Sequence, residues 1–190
     1  LRTELTMTWS QPIKEVYQTE AKETADFLDG LRTQILNERL ERQAKLPDTP
    51  FAAAAIAHDD VDHTATVTQL SVTPKPGREK DAFVAAYTTV RQFAEFGADQ
   101  AELDRTLSDT ETYFKQALQG ANTRNSRQLS EGLVDTVADG EVFTSPQQDW
   151  DYFQTLKPAI TLEALNAGIK PLFAGDGPLL WHEGPTLGDF

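Results

Sequence analysis

Ile35-Leu36-Asn37-Glu38-Arg39-Leu40 is the stretch on which the fold turns. Working outward from it, Ala21, Ala25, Leu28, Leu31 and Ile35 fall on one stripe at helical spacing, and Leu36 and Leu40 widen that stripe. The spacing predicts a long amphipathic helix from about Gln18 to Lys45, closed by Pro47 and Pro50. Its apolar side needs a surface to cover, while Glu38 and Glu41 read as its solvated face.

Residues on either side supply that surface. From Thr3 to Trp9 the chain alternates, with Leu5, Met7 and Trp9 on one side and Glu4, Thr6 and Thr8 on the other, the period of a half-buried strand. After the helix, Phe51–His58 and Thr64–Thr73 read as two strands joined by the acidic turn Asp59-Asp60-Val61-Asp62. Pro74-Lys75-Pro76-Gly77 breaks the chain. Phe83, Tyr87, Val90 and Ala94 mark a helix that Gly97 ends. Asp99 caps the next helix with Glu102 placed to reach back, and Leu103, Leu107, Phe114 and Leu118 form its stripe. A helix from Asn125 to Ala138 should turn Leu129, Leu133 and Val137 inward. Ser145-Pro146-Gln147-Gln148 starts another, Thr161 opens a last one reaching Phe173, and Pro178–Trp181 reads as a closing strand. Strands joined by a short turn pair antiparallel, and the helices must cover one face. The expected class is α+β, one domain over residues 1–190.

Composition limits the function. Apolar residues make up 39% and charged residues 25%, an ordinary globular balance, but the formal net charge is −13. So acidic a surface repels phosphate backbones and anionic lipid heads, so neither nucleic acid nor a membrane is an expected partner. No apolar run approaches the roughly 18 residues of a spanning helix. Cysteine is absent, which removes disulfides and thiolate chemistry. The chain starts at Leu1 without a signal-like segment, and the expectation is a piece of a longer protein.

Four landmarks occur in order: Ile35–Leu40; Thr49-Pro50-Phe51-Ala52; Glu95-Phe96-Gly97-Ala98-Asp99-Gln100-Ala101-Glu102-Leu103; and Gly140-Glu141-Val142-Phe143-Thr144-Ser145-Pro146. With them, the chain from about Thr3 to Pro185 resembles the insulinase/pitrilysin family of zinc metallopeptidases. The match is to the non-catalytic second (C-terminal-type) domain, like those of mitochondrial processing peptidase. The resemblance implies a metallohydrolase-like layered fold and a structural role for Leu36, Asn37, Arg39 and Leu40. The family's catalytic domain binds Zn²⁺ through His-x-x-Glu-His on the helix after its first strand. The helix from Gln18 to Lys45 has no histidine. This domain is therefore expected to hold no cofactor and no catalytic or metal residue, zinc belonging to the parent's catalytic domain. The resemblance implies that the catalytic domain of the same chain and peptide substrates are its partners. Independently, the alanine-rich strand from Phe51 to Ala57, if at the sheet edge, offers unpaired backbone groups through which weak self-association is expected. It also allows a substrate-presenting or structural domain in a relative that has lost catalysis. A periplasmic parent would fit the many bacterial relatives.

Other residues are weaker candidates. His58 and His63 flank Asp59, Asp60 and Asp62, superficially a cation cluster, but an acidic turn accounts for them. His182 beside Trp181 reads as a strand end. Ser126, Ser130 and Ser145 sit in no Gly-x-Ser-x-Gly elbow, and Gly30, Gly97 and Gly120 make no phosphate-binding fingerprint. Asn122, Arg124, Asn125 and Arg127 could line a polar wall for a peptide, or simply satisfy a helix start. Trp9, Trp150 and Trp181 read as core or inter-domain packing.

Overall fold

In the computed structural model the described residues are 3–13, 19–61, 64–138 and 142–184. Strand β1 (Glu4–Pro12) is followed by helix α1 (Glu20–Ala44), then β2 (Phe51–Val61) and β3 (Ala65–Pro74). Helices α2 (Glu79–Phe96), α3 (Gln100–Gly120), α4 (Ser126–Ala138) and α5 (Pro146–Leu156) come next. Two short helices, α6 (Leu162–Ala167) and α7 (Ile169–Leu172), precede β4 (Asp176–Glu183). The strands form one antiparallel sheet in the order β2-β3-β1-β4, with helices over one face. This is the α+β arrangement that the alternating and helical periods predict.

Registers explain the layering. Leu5, Met7 and Trp9 of β1 stand opposite Val72, Leu70 and Thr68 of β3, and all six are buried beneath the helices. Trp9 lies edge-on to Phe173 at 5.2 Å and stacks on Tyr87 at 6.4 Å, so α2 and the segment after α7 close over the sheet centre. Leu31, Ile35, Leu36 and Leu40 of α1 join this core, along with Phe51, Val90, Phe93 and Leu103. A second aromatic group, Phe27, Phe114, Trp150 and Phe153, ties α1, α3 and α5 together.

The caps form where local sequence demands them. Asp99 accepts from the Glu102 backbone N–H at 2.8 Å while Glu102 accepts from the Asp99 N–H at 3.1 Å. Ser145 and Gln148 make the same reciprocal pair at the start of α5. Gly97 ends α2 at φ 74°, a left-handed value that favours glycine.

Four expectations are corrected. Leu133 and Val137 of α4 are 46% and 67% exposed rather than inward, because α4 packs closely on no other described element. The segment from Thr161 to Phe173 is two helices broken at Gly168, where Arg32 crosses. Asp59 and Asp60 continue β2 instead of turning. Ala21 and Ala25 are exposed, since the first turns of α1 run past the core.

Candidate functional site

The helix that would have to carry a zinc motif is α1, and its residues serve packing and clamping instead. Leu36 and Leu40 are 1% and 0% exposed. Between them Asn37 behaves as a one-residue strand: its Oδ1 accepts from the Ile56 N–H at 2.8 Å and its Nδ2 donates to the Ile56 carbonyl at 2.9 Å. β2 is an edge strand, so this amide fills one site on an edge expected to offer unpaired groups.

Arg39 points the other way, into a junction of α1, α2 and α3. Its Nε and Nη2 donate to the two carboxylate oxygens of Glu102 at 2.8 and 2.6 Å, and Nη2 also donates to the Gly97 carbonyl at 2.8 Å. The guanidinium lies 5.0 Å from the Phe93 ring centroid. Arg42 adds a third donor to Glu102 at 3.2 Å. Burial alone would raise the Glu102 pKa. Hydrogen bonds from Arg39, the Asp99 backbone and Arg42 outweigh it and bring the carboxyl to about 2. Glu102 thus caps α3 and anchors α1 with one carboxylate.

Neither Glu38 nor Glu41 faces water alone. Glu38, expected on a solvated face, is half-buried and accepts from Arg105 at 2.8 Å, because α3 crosses α1 there. Glu41 is exposed and pairs with Lys45. α1 carries no histidine, and Glu38 and Glu41 are each paired with a basic side chain. The donor set does not fit a zinc ion. Among the described residues no three His, Asp or Glu side chains converge as a metal site.

Beside α1 lies a polar pocket of about 230 Å³ lined by Gln11, Asp29, Arg32, His58, Thr66 and Gly168, among others. Arg32 is only 5% exposed. Its Nε and Nη2 donate to the Leu165 and Ala164 carbonyls at 2.7 and 2.8 Å, satisfying the end of α6, while Nη1 donates to Asp29 at 2.5 Å. Thr68 donates its hydroxyl proton to the Leu172 carbonyl at 2.5 Å. It must therefore accept from His58 Nδ1 at 2.7 Å, which turns Nε2 toward Asp29, 3.8 Å away. At 1% exposure, with its proton committed, Thr68 is a strut and not a nucleophile.

The remaining candidates do not converge. Asp60, two residues along β2 from His58, takes the Thr66 hydroxyl and Lys22. Burial would raise its carboxyl, but those two partners hold it below its ordinary value. His63 and Asp62 lie outside the described residues. His182 stands opposite Leu5 on the covered face of β4, with Nε2 buried. Ser126 and Ser130 are exposed, and Ser145 serves the α5 cap. Arg124 and Arg127 make local bonds to the Ala121 carbonyl and to Glu131. Trp9 is buried and Trp150 half-buried, whereas Trp181 is 70% exposed.

Sequence reasoning passed over Arg32 and Asn166. Arg32 follows Leu28 by four residues and precedes Leu36 by four, an arginine on the apolar stripe, and that was its available signal. Asn166 clamps the α2–α3 link, its Oδ1 accepting from the Ala98 N–H at 2.8 Å and its Nδ2 donating to the Ala98 carbonyl at 3.1 Å. No local pattern announces a contact across that separation.

No family model matches the chain, and no curated protein matches it either. Solved structures do. The periplasmic protease PqqL from Escherichia coli is similar at 18% identity and a TM-score of 0.80, over 90% of this chain and 19% of that one. A predicted insulinase family protease from Yersinia pestis is similar at 14% identity and a TM-score of 0.82, over 99% of this chain and 41% of that one. A peptidase M16 inactive domain from Pseudomonas fluorescens is similar at 13% identity and a TM-score of 0.65, over 97% and 42%. The chain spans about a fifth to two fifths of the length of these three chains. Its fold is that of insulinase-type protease domains, inactive ones among them.

Proposed function

We propose that this chain is a non-catalytic domain of a zinc-dependent metallopeptidase, supporting the catalytic domain and helping to enclose the chamber in which peptides are cut. The parent would hydrolyse peptide bonds with a zinc-activated water held by another domain. The observation that carries this reading is α1. A helix in the position of the family's metal-binding helix spends Leu36 and Leu40 on the core, Asn37 on β2 and Arg39 on Glu102. Likeness to an inactive peptidase domain supports the same reading. Likeness to the periplasmic protease PqqL of Escherichia coli supports a periplasmic parent. Among the described residues, no helix is long and apolar enough to cross a membrane.

The uncovered face of the sheet is the natural surface toward that partner. Across it run the rows Trp181–Thr6–Ser71–Ala55 and Leu179–Thr8–Gln69–Ala57, none of whose members is charged. Trp181 and Leu179 are 70% and 67% exposed on this face, whereas Leu180, opposite Met7, turns to the other side of the sheet. Two uncharged rows carrying an exposed tryptophan, between the Glu4–Glu183 pair on one side and Asp59 on the other, support a partner site there.

Two measurements test the proposal. Dialysed against Zn²⁺, the 190-residue chain should retain no stoichiometric metal and cleave no quenched fluorescent peptide. Zinc retained at one per chain, with peptide cleavage lost in His58→Ala, overturns it. In a polypeptide joining this chain to a domain bearing His-x-x-Glu-His, Trp181→Glu should lower peptidase activity while zinc content stays unchanged.

A further inference from the structure

Helix α4 stands apart from the core. Its 13 residues pack closely on no other described element, yet they carry an apolar stripe. Leu133, Val134 and Val137 are 46%, 65% and 67% exposed, with Leu129 half-buried on the same side. Phe143, 42% exposed, lies over Gly132, its ring 3.7 Å from where a Cβ there would stand. An unsupported helix of this length is marginal in water, because nucleation is costly and packing normally supplies the stability. We propose that α4 is a docking helix whose apolar stripe is covered by another domain of the same polypeptide. The inference rests on the reading of this chain as part of a larger peptidase.

The occupant is argued from area and charge. A helix of this length measures about 20 Å by 10 Å. Its contact face therefore falls well short of the roughly 800 Å² per partner that a stable complex of separate molecules uses. A second copy would also bring another −13 of formal charge against the first. A tethered domain needs far less area, because linkage supplies an effective concentration in the mM range. The solved chains with this fold are long enough to hold such neighbours, this chain spanning 19%, 41% and 42% of three of them. The partner surface is a shallow apolar groove that receives Leu133 and Val137 from one side of the helix.

Hydrogen exchange tests it, on the chain alone and on the longest polypeptide that contains it, each with and without the paired change Leu133→Asp and Val137→Asp. In the chain alone, amides of residues 126–138 should exchange about 100-fold faster than those of α1, and the paired change should leave the melting temperature unmoved. In the longer polypeptide the same amides should slow by about tenfold or more, and the paired change should abolish that slowing. A lowered melting temperature in the chain alone would mean that α4 packs within its own domain, which overturns the inference. So would a concentration-dependent dimer lost in the variant, since the occupant is then a second copy. If β4 gains protection in the longer polypeptide and α4 does not, the docking helix fails while the proposed function stands. If neither gains protection, both fail.

Discussion

Arg39 and Glu102, 63 residues apart, meet through two charge-assisted bonds of 2.8 and 2.6 Å, and the same carboxylate takes the Asp99 backbone N–H at the head of α3. One side chain therefore fixes both where α3 begins and how it crosses α1. With its side chain 8% exposed, Glu102 is stable as an anion only while its donors remain. Arg39→Met should destabilise the fold by about 3 kcal/mol, the lower end for breaking a buried pair, because Arg42 still reaches Glu102. Denaturant unfolding reads this directly, and a loss comparable with that of Glu41→Ala would remove Arg39 from the argument.

The same pair predicts a pH dependence. The folded Glu102 pKa, about 2, lies below its ordinary value of 4.5, so its contribution is present above 4.5 and lost as pH falls toward 2. Urea melts across that window should show the native chain losing more stability than Glu102→Gln, which has no charge to titrate. Parallel losses would mean that other carboxylates account for the acid sensitivity.

Asn37 makes a separate prediction. Asn37→Ala should cost about 1–3 kcal/mol, because it leaves the Ile56 N–H and C=O without their partner. Asn37→Asp keeps the acceptor and loses the donor, and should fall between the two in chemical denaturation. An alanine variant as stable as the native chain would show that water replaces the amide at this edge.

Leu36→Ala and Leu40→Ala should each cost about 2–5 kcal/mol, since both side chains are fully enclosed. Glu41→Ala, at an exposed and solvent-screened pair with Lys45, should leave the denaturation midpoint essentially unmoved. The contrast is read from melts of the three variants.

Gly168→Ala places a methyl 2.2 to 2.5 Å from the Arg32 guanidinium, although the backbone there, at φ −92°, accepts any residue. The expected cost is about 1–3 kcal/mol of overpacking. In a double-mutant cycle with Arg32→Ala the two losses should be strongly non-additive, because the methyl has nothing to strike once the guanidinium is gone. Additive losses would show that Gly168 matters for another reason.

The elements legible before folding were those set by neighbours in sequence. The alternation of Leu5, Met7 and Trp9 made β1, and the stripe through Leu31, Ile35 and Leu40 made α1. The Asp99–Glu102 and Ser145–Gln148 spacings made two caps, since each closes within one helical turn. The absence of histidine from α1 was likewise legible from the order of residues alone. Periodicity failed at α4, where it finds an apolar stripe at Leu133 and Val137 but cannot say whether this domain or another covers it. It failed again between Thr161 and Phe173, where the break at Gly168 answers a guanidinium arriving from α1. Only the tertiary structure brings Arg39 to Glu102, Asn37 to Ile56 and Asn166 to Ala98, because each is a hydrogen bond across a crossing of two elements. Such bonds depend on how ridges of packed side chains align, a relation between distant stretches that no local period encodes.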